Sequence, residues 1–180
     1  MLIFINPLAH SDEKQFAQAL FVKHCSVCHG LHAEGAEGIP DLTDTDWLYG
    51  GSLEQIEKTI RYGRKSVMPA WLATLGEEGT KNVASYVQLL SKKNTGLNQS
   101  GNEIFSLMCS ACHGPTGEGR QSVGAPNLTD TIWLYGGEEK QIFESIANGR
   151  NGIMPGHENI LNDQQIKMLA TYVYGLSSKK

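Results

Sequence analysis

No apolar run near the start of this 180-residue chain is long enough to cross a bilayer, which takes about 20 residues. The strongest such run, Leu2-Ile3-Phe4-Ile5, is broken by Asn6-Pro7. Met1 to Ala9 read instead as the tail of an export signal whose basic start is missing, with the small Ala9 near a cleavage point. Positive charge is not in excess either. The formal net charge is −4, with nine Lys/Arg against eleven Asp/Glu in residues 1–94 and six against eight in residues 95–180. That excludes the basic stripe required to hold nucleic acid. A mildly acidic surface suits steering toward a positively charged protein partner. Cysteine is scarce, at 4 residues, and all four fall inside two short motifs. A disulfide scaffold needs spare, spread cysteines and is excluded. No segment alternates convincingly as a strand, so the fold reads as all-α.

What is present is a motif written twice. Cys25-Ser26-Val27-Cys28-His29 and Cys109-Ser110-Ala111-Cys112-His113 are both C-x-x-C-H, the spacing that attaches a c-type haem. Two sulfurs take the porphyrin vinyl groups, and the adjacent histidine ligates iron from one side. Zinc would want four closed ligands, with paired knuckles about 15–20 residues apart. Here the pairs are 84 positions apart and each ends in histidine. A thioredoxin-like redox pair explains neither the histidines nor the methionines described below. Two covalent haems (iron) are therefore expected, and with them export, because c-type maturation takes place outside the bacterial cytoplasm.

The rest of the chain repeats as well. Beyond a two-residue difference in the loops Gly30–Ile39 and Gly114–Ala125, the offset holds at 86 for Pro40/Pro126, Trp47/Trp133, Tyr49/Tyr135, Arg64/Arg150, Met68/Met154 and Tyr86/Tyr172. Two domains follow, 11–93 and 98–177, joined by the polar stretch Ser91–Asn98. Each reads as three helices. The first is Asp12–His24 with Ser11 as N-cap, and its counterpart precedes Cys109. Phe21 and Phe105 lie one turn before the first cysteine, and Ala17 and Gly101 form a small-residue pair that lets another helix approach. The second helix starts at Ser52 or Gly137, with Ser52-Leu53-Glu54-Gln55 in capping-box form, and ends near Gly63 or Gly149. The third spans Glu77–Leu90 and Asp163–Leu176, with Asn162 and Gln165 as a further box.

A haem held by one histidine needs a ligand on its other face. Met68-Pro69 and Met154-Pro155 recur in matching contexts, each after a Gly-Arg pair. A thioether is a soft, neutral ligand that raises the potential. Met108 and Met168, which do not recur, read as core filling. His24, His32 and His157 read as surface residues. Pro40 and Pro126 are placed to offer a carbonyl to the proximal histidine N–H. Arg64 and Arg150 suit the haem propionates. Trp47, Trp133, Tyr49 and Tyr135 are candidates for the haem edge.

Pro40-Asp41-Leu42-Thr43-Asp44-Thr45-Asp46-Trp47-Leu48-Tyr49-Gly50-Gly51 and Pro126-Asn127-Leu128-Thr129-Asp130-Thr131-Ile132-Trp133-Leu134-Tyr135-Gly136-Gly137 resemble the dihaem subunit III of cbb3-type cytochrome c oxidases. So do the Gly-Arg…Met-Pro segments and the Ala-x-Tyr-Val endings. The likeness covers about residues 12–177. It implies two tandem class I cytochrome c folds, thioethers at Cys25, Cys28, Cys109 and Cys112, and ligation by His29 with Met68 and His113 with Met154. It implies an electron relay rather than an enzyme, set in a respiratory chain between a cytochrome donor and an oxidase acceptor. The location implied is periplasmic, with membrane contact only through the partner complex. That family's subunit is held by an N-terminal membrane helix, which this sequence does not show. It reads either as a soluble portion of such a subunit or as a free shuttle built from the same domains.

Two other classes compete with the relay. A dihaem peroxidase-like enzyme would need one open haem and an acid–base group, for which His157 is the suggestive residue. A sensor or structural haem module would need a signalling segment, and none is attached. Glu34, Glu37, Asp41, Asp44 and Asp46 crowd the first copy, where the second keeps Glu118 and Asp130. The first haem is accordingly expected at the lower potential.

Overall fold

The computed structural model describes residues 7–94 and 98–177. Residues 1–6, which carry most of the expected export-signal tail, and 95–97, within the linker, lie outside the described residues. The elements are α1 (Pro7–His24), α2 (Ser26–His29), α3 (Leu53–Tyr62), β1 (Arg64–Met68), α4 (Leu72–Ser91), α5 (Gln99–Ile104), a π-helical turn (Phe105–Cys109), α6 (Ser110–His113), α7 (Glu139–Asn148), β2 (Arg150–Met154) and α8 (Asp163–Ser177).

The helix ends follow from local chemistry. Helix α1 is described from Pro7, so it extends past the Ser11 boundary expected from capping. Ser52 caps α3 by accepting from the Gln55 N–H, while the Gln55 side chain accepts from the Ser52 N–H. Such a box is worth about 1 kcal/mol. In the second copy the cap falls on Glu138, one residue past the expected Gly137. The Asn162–Gln165 box closes reciprocally at 3.0 Å in both directions. Gly76 (φ 67°) breaks α4, so its continuous part begins at the expected Glu77.

Two features depart from the all-α expectation without changing its class. β1 and β2 pair antiparallel, Arg64 opposite Met154 and Met68 opposite Arg150. Both are five residues long and largely polar or small, too short for alternation to stand out in sequence. The π-helical turn before Cys109 has no counterpart before Cys25, and such turns gather at functional sites.

The chain forms two compact units that cut across the two sequence repeats. Of the described residues, the first unit holds 7–45, 51–63 and 155–177; the second holds 46–50, 64–94 and 98–154. In the first, α8 packs against both α1 and α3. Phe21 on α1 is fully buried, and its ring lies 5.6 Å from that of Tyr172 on α8. In the second, α4 packs against α5 and α7, and Phe105 lies 5.5 Å from Tyr86 of α4. A Cβ on Gly101 would collide with the Asn82 carbonyl and the Tyr86 side chain. The small residue therefore does let a helix approach closely, and the helix that approaches comes from the other repeat. Val83, Val87, Leu90, Phe105, Leu128, Ile142 and Ile146 form the core of the second unit. Burying each large apolar side chain contributes about 1.5–3 kcal/mol.

Candidate haem centres

Each C-x-x-C-H motif is a single short helix, α2 or α6, entered directly from the preceding helix. In both copies the helix stops at a glycine, Gly30 (φ 80°) or Gly114 (φ 81°). The carboxyl group of Glu34 or Glu118 occupies the space a Cβ would need there. Glu34 accepts from the His32 N–H at 2.9 Å, and Glu118 from the Thr116 N–H at 3.0 Å. These carboxylates fix the loop that leads away from each histidine.

His29 and His113 are buried, at 8% and 9% exposure. The His29 Nδ1 lies 3.0 Å from the Pro40 carbonyl, and the His113 Nδ1 lies 3.2 Å from that of Pro126. Burial lowers both imidazole pKa values below the ordinary range, opposed by these hydrogen bonds. A neutral ring that donates from Nδ1 keeps its lone pair on Nε2, the atom left for a metal. Cys25 and Cys109 are pushed up to about 11, first by burial and then by the neighbouring Cys28 or Cys112. The four thiols form no disulfide.

Downstream of each prolyl carbonyl, the turn is built by one side chain. Asp41 Oδ1 accepts from the Thr43 N–H (2.7 Å) and hydroxyl (2.6 Å). Asn127 Oδ1 accepts from the same groups of Thr129 at 2.9 and 2.7 Å, and its amide donates to Asp130.

The arginines and tyrosines, singled out separately in the sequence, meet in the structure. Arg64 stands 4.6 Å over the Tyr49 ring, and Arg150 stands 4.1 Å over the Tyr135 ring. Arg150 also donates to Ser145 Oγ at 2.9–3.0 Å. The matching offset of the two Tyr…Arg pairs was the available signal. Trp47 and Pro126 line one cleft of about 380 Å³ in the second unit. Trp133 lies against the core of that unit, as does Met68. Both Met68 and Met154 are half-buried at the ends of their strands.

Three assignments change. His157 is buried, not a surface residue, and its backbone N–H is held by the Ile60 and Arg61 carbonyls at 3.0 Å. His24 is half-buried, and only His32 of the three is exposed. Met108 is exposed rather than core filling; the π-helical turn that carries it directs Phe105 inward instead.

The donor set fits c-type haem. In each copy one short helix and its N-cap residue carry two thiols and a histidine whose Nδ1 is engaged by a prolyl carbonyl. Among the described residues, the buried Tyr49 Oη and His157 Nδ1 lack a protein partner. Such atoms are costly unless something bonds them, and the propionates of a haem are suitable acceptors.

Comparison with known proteins agrees with this chemistry. The family model described as cytochrome C oxidase, cbb3-type, subunit III matches residues 13–87 and 96–173. The chain is 44% identical over 176 residues to the cbb3-type cytochrome c oxidase subunit FixP of Bradyrhizobium sp. (strain ORS 278), covering 91% of this chain and 61% of that protein. It is 45% identical over 163 residues to the subunit CcoP of Rubrivivax gelatinosus, covering 89% and 53%. It is 41% identical over 182 residues to the FixP of Azorhizobium caulinodans, covering 95% and 62%. The chain thus spans about three-fifths of the length of these relatives. It belongs to the family of cbb3-type cytochrome c oxidase subunit III.

Proposed function

We propose that this chain is a dihaem electron relay, receiving electrons from a cytochrome donor and passing them toward an oxidase of the kind its relatives are named for. The observation that carries the reading is the duplicated, buried histidine whose Nδ1 is tied to a prolyl carbonyl beside a C-x-x-C pair. Cys25 and Cys28 would hold one c-type haem, with His29 as a ligand to its iron, and Cys109, Cys112 and His113 would hold the other. Bound in this way, the haem supplies a one-electron ferric–ferrous couple.

The protein residues do the remaining work. Pro40 and Pro126 orient the histidines. Met68 and Met154 would supply soft thioether ligands, which favour ferrous iron and would close the haems to substrate. Arg64 and Arg150, stacked on their tyrosines, meet propionate charge. The buried apolar residues around each site exclude water, so little rearranges when an electron arrives. Family membership supports this relay over the peroxidase-like alternative.

Among the described residues no helix is long and apolar enough to cross a membrane. The proposed setting is the periplasmic face of an oxidase complex, reached through partner subunits. The test is a haem-per-chain assay with ferrous spectra in the presence and absence of carbon monoxide. Two haems that ignore carbon monoxide are expected. One open haem that binds it readily would overturn the relay reading in favour of an enzyme or a sensor.

A further inference from the structure

We propose that the haem held by Cys109, Cys112 and His113 takes its sixth ligand from the other sequence repeat, from Met68 rather than Met154. The inference rests on the dihaem reading above and goes beyond it, because the resemblance pairs each histidine with the methionine of its own repeat.

Residues 64–94 and 98–154 belong to one compact unit, which holds Met68 on β1 and Met154 on β2 together with Cys109, Cys112 and His113, so unit membership leaves both methionines as candidates and the packing of Met68 decides between them. His29 lies in the other unit. Met68 is half-buried against the cluster formed by Val83, Phe105, Leu128, Ile142 and Ile146, and Cys109 packs against that same cluster. Thus the thioether and the first haem-attaching sulfur share one apolar wall, although 41 positions separate them in sequence.

The Met68 segment is fastened on both sides. β1 is paired along its length with β2. Two residues after Pro69, the Trp71 N–H donates to the Ile146 carbonyl at 2.9 Å. The Met68 carbonyl fills the space where a Cβ on Gly149 would stand, so the close approach of the two strands requires glycine there. A second residue of the first repeat accompanies Met68: the Tyr49 ring presses on Gly124, in the loop that follows His113, and its buried hydroxyl has no protein partner. A ligand held by strand pairing and by a backbone hydrogen bond is pre-organised for a metal in that unit, which favours its retention as iron changes charge.

The test uses the intact holoprotein with one haem marked. Cys109→Ala leaves one vinyl group unreacted, which extends the conjugation of that haem and moves its ferrous α-band to longer wavelength. Met68→Ala is then added and carbon monoxide introduced. The proposal predicts that the marked band alone responds, with one carbon monoxide bound per chain. Met68→His, which retains a ligand, should halve the far-red Met–iron band and shift the potential of the marked haem only. Met154→Ala, the control, should leave the marked haem closed. A response confined to the unmarked band, or a response of neither band, would overturn the crossed assignment. Failure of the underlying dihaem reading looks different: the parent protein would then carry fewer than two haems, or would bind carbon monoxide before any methionine is changed.

Discussion

The two units solve one packing problem with different chemistry. In the first, α3 is tied to α8 by Arg61, which donates to Asp163 at 2.6 Å and to Glu57 at 2.9 Å. The positions equivalent to Glu57 and Arg61 in the second repeat are Phe143 and Ala147. There α7 meets α4 through apolar packing, with Ala147 buried and Phe143 against the core. The crossing nearest each haem helix differs too, with Ala17 in the first unit and Gly101 in the second. The turn that follows the prolyl carbonyl bound by His29 or His113 is built by a carboxylate in one unit and by an amide in the other. Architecture is thus kept while charge is moved, so the first unit should answer to salt and pH where the second answers to volume.

Gly101→Ala should give the largest effect, because the added methyl meets backbone as well as the Tyr86 side chain. We expect a loss of about 3 kcal/mol, read as a fall in the urea midpoint; an unchanged midpoint would mean that the crossing is looser than described. Phe143→Ala should follow at about 2 to 3 kcal/mol, below the usual cost for a fully buried phenylalanine because the ring is only half-buried. That loss should be insensitive to salt. Exchanging the turn residues tests the electrostatic half of the comparison. Asp41→Asn should raise the potential of the haem on His29, and Asn127→Asp should lower that of the haem on His113, each by on the order of tens of millivolts. A redox titration that moves the other haem, or reverses either sign, would break the comparison.

The smallest effect is expected from Arg61→Ala, since its partner Asp163 is exposed and an ion pair with an exposed member contributes little and is screened by salt. Arg61 holds the Asp163 carboxyl below its usual range. The contribution is therefore present above the unfolded carboxylate pKa and is lost as pH falls through the lower folded value. The variant and the parent should converge in acid and at high salt, as followed by denaturation curves under both conditions.

Much of each site was legible because it is written twice. The prolyl carbonyl over each histidine, the capping box at Ser52 and the small residue at Gly101 follow from residue chemistry at fixed spacing. The pairing of helices was not legible, and duplication is again the reason. Phe21 and Phe105 occupy equivalent positions, as do Tyr86 and Tyr172, so a helix finds the same complementary surface in either repeat. Apolar pattern alone cannot distinguish a contact within a repeat from one between repeats. Nor did the sequence reveal β1 and β2, whose short, polar segments depend on each other for their conformation. The burial of His157 was hidden as well, because it depends on backbone hydrogen bonds to Ile60 and Arg61.

The central claim is that electrons pass through this chain to an oxidase. It is tested most directly by mixing the fully reduced holoprotein with oxygenated catalytic subunits of a cbb3-type oxidase and following both haems by stopped-flow absorbance. The account predicts rapid, cyanide-sensitive oxidation of both haems that depends on oxidase concentration. Oxidation at a rate indifferent to the oxidase, or of one haem only while the other stays reduced, would contradict it.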